Sequence, residues 1–214
     1  MDSVPIRQTQ TQTQVLVNSF VRSVYNWMAI GLALTGFVAY TVANSQTMLN
    51  IIFGNPIVFW GLIIGELVMV FTLSARVNKM QASTATALFV LYAALNGATL
   101  SAVFLAYTKS SIASTFFVCA GTFVAASIYG WTTKKDLTSF GSFLFMGLIG
   151  IIIASVVNLF LKSSGITMII SYIGVFLFIG LTVYDTQRLK NMALTQPAGL
   201  EAGVVRKGAI IGAL

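Results

Sequence analysis

The amino-acid sequence predicts an all-α membrane protein: a polytopic helix bundle with six complete transmembrane helices, the start of a seventh and a cytoplasmic N-terminus. Of 214 residues, 57% are hydrophobic and only 8% are charged, which leaves too little polar surface for a water-soluble globule. The apolar residues fall into blocks of about 20, the length that crosses ~30 Å of hydrocarbon at 1.5 Å per residue. Lysine and arginine are also distributed unequally between the connections, which fixes an orientation.

Residues 1–24 are predicted to form a flexible polar cytoplasmic tail. They contain the tract RQTQTQTQ, which is polar and repetitive and cannot bury a core. The segment is not a cleavable signal peptide, because its apolar character begins only near Tyr25. Residues 25–214 then form a single transmembrane helix-bundle domain.

Six apolar blocks in this domain predict six complete spans. They lie at residues 25–43, 56–75, 84–106, 111–131, 139–161 and 166–184. A seventh apolar segment, the stub 208–214, supplies about a third of a crossing. The single cysteine, Cys119, lies inside the fourth block, so no disulfide can form within the chain, and we interpret it as a packing residue.

The orientation follows from counting lysine and arginine by connection. Ten cations lie in the tail, in the second and fourth connections and after span six, whereas the other connections hold only Lys109 and Lys162. The positive-inside rule therefore places the N-terminus in the cytoplasm. The net charge of +7 does not indicate a nucleic-acid partner, because the cations form short runs between apolar segments. The predicted partner is the lipid bilayer. The ten cations are Arg7, Arg22, Arg76, Lys79, Lys134, Lys135, Arg188, Lys190, Arg206 and Lys207.

The stretch FIGLTVYDTQRLKNM, residues 178–192, places a carboxylate, Asp185, at the end of span six. Spans two and six both run from outside to inside, so Arg76 and Asp185 are predicted at the same membrane depth. A buried pair would stabilise both charges, because either one alone is costly to hold away from water. In the alternative interpretation both face headgroups and water, as most charges at helix ends do.

Glu66 is predicted near the middle of the bilayer. It stands ten residues after Pro56 and nine before Ala75. An ionisable group at that depth must face the bundle interior or a wet cavity, and it marks an ion or proton path by default. The alternative is a protonated glutamic acid that serves only in packing. Asn96, near the middle of span three, is a plausible polar neighbour, although structural hydrogen bonding between helices explains it equally well.

Residue types that the sequence lacks argue against an enzyme. There is no histidine, so His-dependent zinc sites and Ser/His or Cys/His nucleophile pairs cannot be built. There is also no glycine-rich phosphate loop with the lysine that a nucleotide site requires. The polar residues within the spans instead favour a channel or transporter that needs no cofactor.

Four segments together resemble the transmembrane Bax inhibitor motif family. They are FVRSVYNWMAIGLALTG near the start, LNGATLSAVF in span three, YGWTTKKDL after span four and GLTVYDTQRL at the end of span six. They occur in the order that the family has, and the match extends over most of the chain. The resemblance implies a bundle in which six helices surround a central seventh. It also implies a pH-sensitive calcium leak of the kind found in characterised bacterial relatives.

The same resemblance assigns roles to individual residues. Glu66 matches the glutamate of the family's second span, and Arg76 best matches the basic residue at the end of that span. Asp185 matches one member of a carboxylate pair whose partner lies in span seven. That partner would fall a few residues beyond Leu214, so the native protein is expected to be longer. A carboxylate pair can share a proton and so sense pH, which Asp185 alone cannot do.

Together these observations predict a pH-sensitive calcium leak channel of the bacterial inner membrane. Glu66, Asn96 and Asp185 would offer oxygen ligands along the calcium path, and an Arg76–Asp185 contact would gate its cytoplasmic mouth. Two alternatives stay open. One is a non-conducting regulator that binds a membrane protease, as some bacterial relatives do, or another membrane partner. The other is a proton-coupled transporter that uses Glu66 as its proton carrier.

Overall fold

The computed structural model describes residues 4–195 and 202–214, and this part of the chain contains helices and no strands. A short 3₁₀ turn, Val77–Lys79, follows the third helix. The α-helices are α1 (Val4–Ala43), α2 (Gln46–Phe53), α3 (Pro56–Arg76), α4 (Ala82–Ala106), α5 (Lys109–Thr132), α6 (Thr138–Leu161), α7 (Ser164–Thr195) and α8 (Ala202–Ala213).

Six of these helices are long and apolar enough to cross a membrane, which confirms the prediction of six spans. They are α1 from Ser19 onwards, α3, α4, α5, α6 and α7. Large apolar side chains project from them, and Ile57 and Phe160 are 82% and 84% exposed. Water would not tolerate so much exposed apolar surface, whereas lipid does. The chain is therefore an integral membrane protein.

The structure differs from the sequence prediction at residues 4–24. These residues were predicted to be a flexible tail, yet α1 begins at Val4. The tract contains no glycine, and Pro5 lies in the first turn, where its missing N–H costs no helical hydrogen bond. Phe20 and Val24, near the end of the predicted tail, are buried. Residues 1–3 of the predicted tail lie outside the described residues, and the cytoplasmic N-terminus stays a prediction.

The first connection contains a short helix, α2, that hydropathy did not predict. Ser45 is its N-cap residue, and the Ser45 hydroxyl oxygen accepts a hydrogen bond from the Met48 backbone N–H at 3.4 Å. Asn55 begins α3 in the same way, because its Oδ1 accepts from the Ile57 backbone N–H at 3.0 Å. Pro56 occupies the first helical position of α3, where proline is well tolerated. Side-chain caps therefore fix where both helices begin.

The chain forms two compact units, Met1–Ala113 with Ala193–Leu214, and Ser114–Met192. In the first unit, α1, α3, α4 and α8 pack around a common apolar core. Trp27 adds an edge-to-face contact with Phe89, and the ring centroids are 5.7 Å apart. Burial of this cluster fixes α8 against the other helices of the first unit. The core residues are Leu73, Val77, Ala85, Phe89 and Ile210.

Helices α1 and α4 cross closely because Gly97 has no side chain. A Cβ at this position would lie 2.5 Å from the Thr35 carbonyl oxygen and 2.8 Å from the Val38 Cβ. Next to this crossing, the Thr35 hydroxyl donates a hydrogen bond to the Ala93 carbonyl at 2.9 Å. A small residue and an interhelical hydrogen bond are the usual means of joining helices in lipid.

In the second unit, glycines likewise permit close contact between helices at two positions. A Cβ added at Gly130 of α5 would collide with the Val183 carbonyl of α7. A Cβ added at Gly180 of α7 would lie 2.9 Å from a methyl group of Leu144 in α6. Both α5 and α6 therefore lie directly against α7 in this unit.

Candidate ion path

Glu66 lies near the middle of α3, in the first unit, and is half-buried. Ten residues separate it from each end of the helix, which corresponds to about 15 Å in either direction. Its carboxylate oxygen Oε1 accepts a hydrogen bond from the Thr99 hydroxyl of α4. This contact holds the carboxylate between two spanning helices, deep within the predicted hydrocarbon layer.

The Thr99 hydroxyl has two acceptors within reach. Besides Glu66, the Leu95 carbonyl oxygen of the same helix lies 3.0 Å from Thr99 Oγ1. A hydroxyl has one proton, so it can donate to only one of them at a time. When Glu66 is ionised, the hydroxyl donates to the carboxylate. When Glu66 is protonated, Glu66 can donate to the Thr99 oxygen while the hydroxyl proton turns to Leu95.

Asn96 was considered a plausible polar neighbour of Glu66, and the hydrogen bond that the structure shows to Glu66 comes from Thr99. The Asn96 amide instead donates to the Tyr92 carbonyl at 3.0 Å. Thr99 is a site residue that the sequence analysis missed. Its signal was present in LNGATLSA, where it follows Asn96 by three residues and thus lies about one turn further along the same side of the helix.

Asn96 lines a cavity between α1, α4 and the last turn of α8. The cavity has a volume of about 240 Å³ and a mainly apolar lining. It lies entirely within the first unit, so α4 presents polar groups both to α3, through Thr99, and to this cavity. The lining residues are Met28, Gly31, Leu32, Thr35, Phe89, Tyr92, Ala93, Asn96, Leu100 and Ala213.

In the second unit, the residues beside Asp185 fasten α7 to the last turn of α5 and to the connection between α5 and α6. The Gln187 amide donates to the Lys135 carbonyl at 2.7 Å and accepts from the Leu137 backbone N–H at 3.0 Å. The Lys190 ammonium donates to the Trp131 carbonyl at 2.8 Å and lies 5.6 Å from the centre of the Trp131 ring. We call Gln187 and Lys190 the α7 clamp. The clamp fixes the end of α7 that bears Asp185.

A third contact joins the same region. Thr186 is buried, and its hydroxyl lies 3.4 Å from the Ser127 hydroxyl of α5. The sequence analysis quoted Gln187 and Lys190 as part of one stretch but assigned them no role. Their hydrogen-bond partners are main-chain atoms of the loop between α5 and α6 and of the last turn of α5, and residue type alone does not predict such contacts.

The loop that the clamp holds contains the exposed carboxylate Asp136. Its Oδ1 accepts from the Thr138 hydroxyl at 2.6 Å and from the Thr138 backbone N–H at 2.9 Å. These hydrogen bonds stabilise the ionised form and lower the pKa of Asp136 below its usual 3.8. The resulting stabilisation is present above the usual pKa and is lost as the pH falls through the lowered one. At neutral pH, Asp136 therefore holds the beginning of α6 in its ionised form.

Arg76 ends α3 and is exposed, and Asp185 is an exposed residue of α7. Arg76 belongs to the first unit and Asp185 to the second. The predicted contact between them stays a prediction. Across the described residues, no three His, Cys, Asp or Glu side chains come together in a group that could hold a metal ion.

Comparison with known proteins gives a family. A family profile described as inhibitor of apoptosis-promoting Bax1 matches residues 17–214. The chain is 48% identical over 214 residues to the inner membrane protein YbhL of Escherichia coli K12, covering 100% of this chain and 91% of that protein. No solved structure matches the chain.

Two further relatives come from distant bacteria. A protein of Borreliella burgdorferi is 47% identical over 185 residues, which are 86% of this chain and 80% of that protein. A protein of Deinococcus radiodurans is 42% identical over 209 residues, which are 98% of this chain and 88% of that protein. The family match spans all six candidate membrane helices and confirms the resemblance found in the four sequence segments. The chain belongs to the Bax inhibitor family of membrane proteins.

Proposed function

We propose that this protein is a pH-sensitive cation leak channel of the bacterial inner membrane, with calcium as the permeating ion. The observation that carries the proposal is the position of Glu66, a carboxylate in the middle of a spanning helix that is held against a second one by Thr99. A carboxylate costs several kcal/mol in hydrocarbon, so its side chain requires a polar surrounding such as an ion path. The inner-membrane location follows that of the relative YbhL.

The chemistry of the α3–α4 contact suits a passing calcium ion. Calcium takes oxygen ligands, and this contact offers the Glu66 carboxylate and the Thr99 hydroxyl. A conducted ion must be attracted strongly enough to enter and weakly enough to leave.

The proposed gate is a contact between Arg76 and Asp185 at the cytoplasmic mouth. With Asp185 ionised, the pair would hold α3 to α7, and protonation of Asp185 would weaken it and favour the open state. The α7 clamp supports this proposal, because Gln187 and Lys190 fix the helix segment that bears Asp185. Because this segment of α7 is fixed, loss of the Asp185 charge can affect the position of the whole helix.

Ion flux into liposomes that contain only the purified full-length protein tests the proposed function. A calcium leak without an imposed proton gradient supports the channel. Flux that requires a proton gradient would identify a proton-coupled transporter with Glu66 as carrier. Absence of flux under both conditions would favour the regulator that acts through a membrane partner.

Thr99→Val tests the contact between α3 and α4. Valine keeps the shape and removes the donor, so the Glu66 carboxylate loses its hydrogen bond and its fixed position. We expect neutral-pH flux about tenfold lower, the equivalent of one charge-assisted hydrogen bond, and recovery in Thr99→Ser. Thr72→Val of α3 is the matched control, because the hydrogen bond of the Thr72 hydroxyl within the described residues goes to the Val68 carbonyl of its own helix, at 2.6 Å. Equal losses of flux in Thr99→Val and Thr72→Val would show that Thr99 has no specific role in the ion path.

A double-mutant cycle tests the gate. Asp185→Asn should raise the basal leak at neutral pH and flatten its response to acid, because the titrating group is gone. Arg76→Ala should also raise the leak but keep some pH response. In the double variant, the change in the free energy of opening should be smaller than the sum of the two single changes. The difference should correspond to about fivefold or more in the leak, as expected for residues that act through one contact.

Arg188 supplies the control for that cycle. It lies one turn after Asp185 on the same helix and is the competing cation for the carboxylate. If Arg188→Ala couples to Asp185→Asn and Arg76→Ala does not, then the carboxylate pairs within its own helix. Asp185 would then be a boundary charge, and the proposed gate would be wrong.

A further inference from the structure

The connection between α1 and α3 carries α2, a short helix without charged residues. It joins two candidate membrane helices, because α1 ends at Ala43 and α3 begins at Pro56. α2 therefore lies at the membrane surface, where the chain leaves the hydrocarbon and enters it again. Residues 44–55 contain no Asp, Glu, Lys or Arg. Charge cannot hold α2 against lipid headgroups, so its affinity for the bilayer depends on its apolar side chains.

The exposed surface of α2 has an apolar side and a polar side. Met48 and Ile51 lie three residues apart on one side and are 50% and 51% exposed. Gln46 and Asn50 are exposed on another side, where the Gln46 amide donates a hydrogen bond to Asn50 Oδ1 at 3.2 Å. At about 100° per residue, the two pairs point about 150° apart around the helix. α2 is therefore amphipathic even outside the part that packs on the protein through the buried Ile52.

Hydrogen bonds close both ends of α2. The Ser45 hydroxyl oxygen accepts from the Met48 backbone N–H at 3.4 Å, and the Gly54 backbone N–H donates to the Asn50 carbonyl at 3.0 Å. An unpaired backbone group is costly within a bilayer, because lipid offers it no partner. These contacts lower the cost of placing α2 at the edge of the hydrocarbon layer, where water is scarce.

Aromatic side chains mark the membrane interface at this end of the first unit. Tyr40 lies in the last turn of α1, Trp60 in the second turn of α3, and Tyr107 directly after α4, and all three are exposed. The Tyr40 ring meets the Phe104 ring of α4 edge to face, with centroids 6.1 Å apart, so the ends of α1 and α4 lie side by side. Tryptophan and tyrosine are enriched where a bilayer meets water. α2 begins three residues after α1 ends, so it lies near the level of these rings.

We infer that α2 is an interfacial helix that binds a phospholipid leaflet through its apolar side. Met48 and Ile51 lie among the outermost segments of the acyl chains, and Gln46 and Asn50 face the headgroups and water. The partner is a leaflet of any headgroup charge, because this connection carries no charge that could select one. α3 begins three residues after α2 ends, so bound lipid also fixes this end of α3 relative to the membrane. The inference is independent of ion conduction.

Site-directed spin labelling tests the inference in liposomes of phosphatidylcholine. A nitroxide is attached at Met48→Cys, Ile51→Cys or Asn50→Cys in protein that also carries Cys119→Ser, which removes the native thiol. Collision rates are measured for each label with oxygen, which partitions into lipid, and with a neutral, water-soluble nickel chelate. We expect the oxygen-to-nickel ratio at positions 48 and 51 to exceed that at position 50 by about threefold or more, because the apolar side of an interfacial helix reaches about 5–10 Å into the bilayer surface.

Charged variants separate the position of α2 from the lipid affinity of the label itself. Met48→Asp should lower the ratio of the label at Ile51→Cys to that found at Asn50→Cys, because a carboxylate is costly in hydrocarbon and lifts the apolar side away from it. Gln46→Asp is the matched control, since it adds the same charge on the polar side and should leave the ratio at Ile51→Cys unchanged. Phosphatidylglycerol in place of phosphatidylcholine should leave the ratios of the three labels unchanged.

Four results would each overturn the inference. Equal ratios at the three labelled positions would mean that α2 does not lie at a boundary between lipid and water. Low collision rates with both reagents at positions 48 and 51 would mean that protein, such as a second copy of the chain, covers the apolar side. An oxygen preference that survives Met48→Asp would belong to the label, and one that appears only in phosphatidylglycerol would depend on headgroup charge.

Discussion

Gly97→Leu is expected to prevent the first unit from folding. The added side chain would begin at a Cβ 2.5 Å from the Thr35 carbonyl oxygen, and a main-chain atom in the middle of α1 cannot move aside as a flexible side chain can. The smaller change Gly97→Ala should cost about 1–3 kcal/mol, as overpacking of a well-packed core does. The larger leucine side chain should destabilise the first unit so much that the folded protein does not survive membrane insertion and extraction into detergent.

Gly36→Leu is the matched control for this prediction. Gly36 lies on α1, one residue after Thr35, and a Cβ added there has nothing within 4 Å. It carries the same change in volume and helix propensity without the collision. The monodisperse fraction in size-exclusion chromatography, with the melting temperature, measures the outcome. If Gly97→Leu were as well folded as Gly36→Leu, the close crossing of α1 and α4 would be wrong.

The six spans could be predicted from sequence because length and apolarity alone decide whether a segment can cross a membrane. The beginning of α1 could not be predicted in this way. Composition showed that residues 4–24 have few groups to bury, but no residue in them stops a helix, so α1 continues through the segment. The short helix α2 was missed because eight residues are too few for a spanning signal, and its beginning depends on the hydroxyl of Ser45.

Sequence could predict those features of the candidate site that depend only on how deep a residue lies in the membrane. Glu66 was singled out because a carboxylate in the middle of an apolar block has no ordinary explanation. Its partner depends on how two helices rotate against each other, which hydropathy does not fix. Thr99, which donates to Glu66, was therefore missed, and only Asn96 was considered as a polar neighbour.

The role of the α7 clamp was hidden for a related reason. The Gln187 side chain binds a main-chain carbonyl and an N–H of the loop between α5 and α6, and the Lys190 ammonium binds the Trp131 carbonyl in the last turn of α5. Every residue other than proline offers these same groups, so residue type carries no signal for such contacts. The sequence identified the polar end of α7 but could not distinguish the residues that fasten it from the residue predicted to gate.

Glu66→Gln is expected to have the largest effect on function. The amide keeps the size of the side chain and can still bond the Thr99 hydroxyl, so folding should be preserved. The negative charge that attracts a cation into the middle of the membrane is lost. Each unit charge near a passing ion contributes several kcal/mol at low effective dielectric, so we expect at least a tenfold reduction of calcium flux.

The calcium flux of Glu66→Gln relative to wild type, in liposomes at neutral pH and without an imposed proton gradient, tests the central claim most directly. The same preparations should show equal melting temperatures, and Thr72→Val should conduct as wild type does. Wild type should leak calcium, and Glu66→Gln should leak at most about a tenth as much. Equal flux in the two proteins would contradict the claim and would leave Glu66 as a packing residue between α3 and α4.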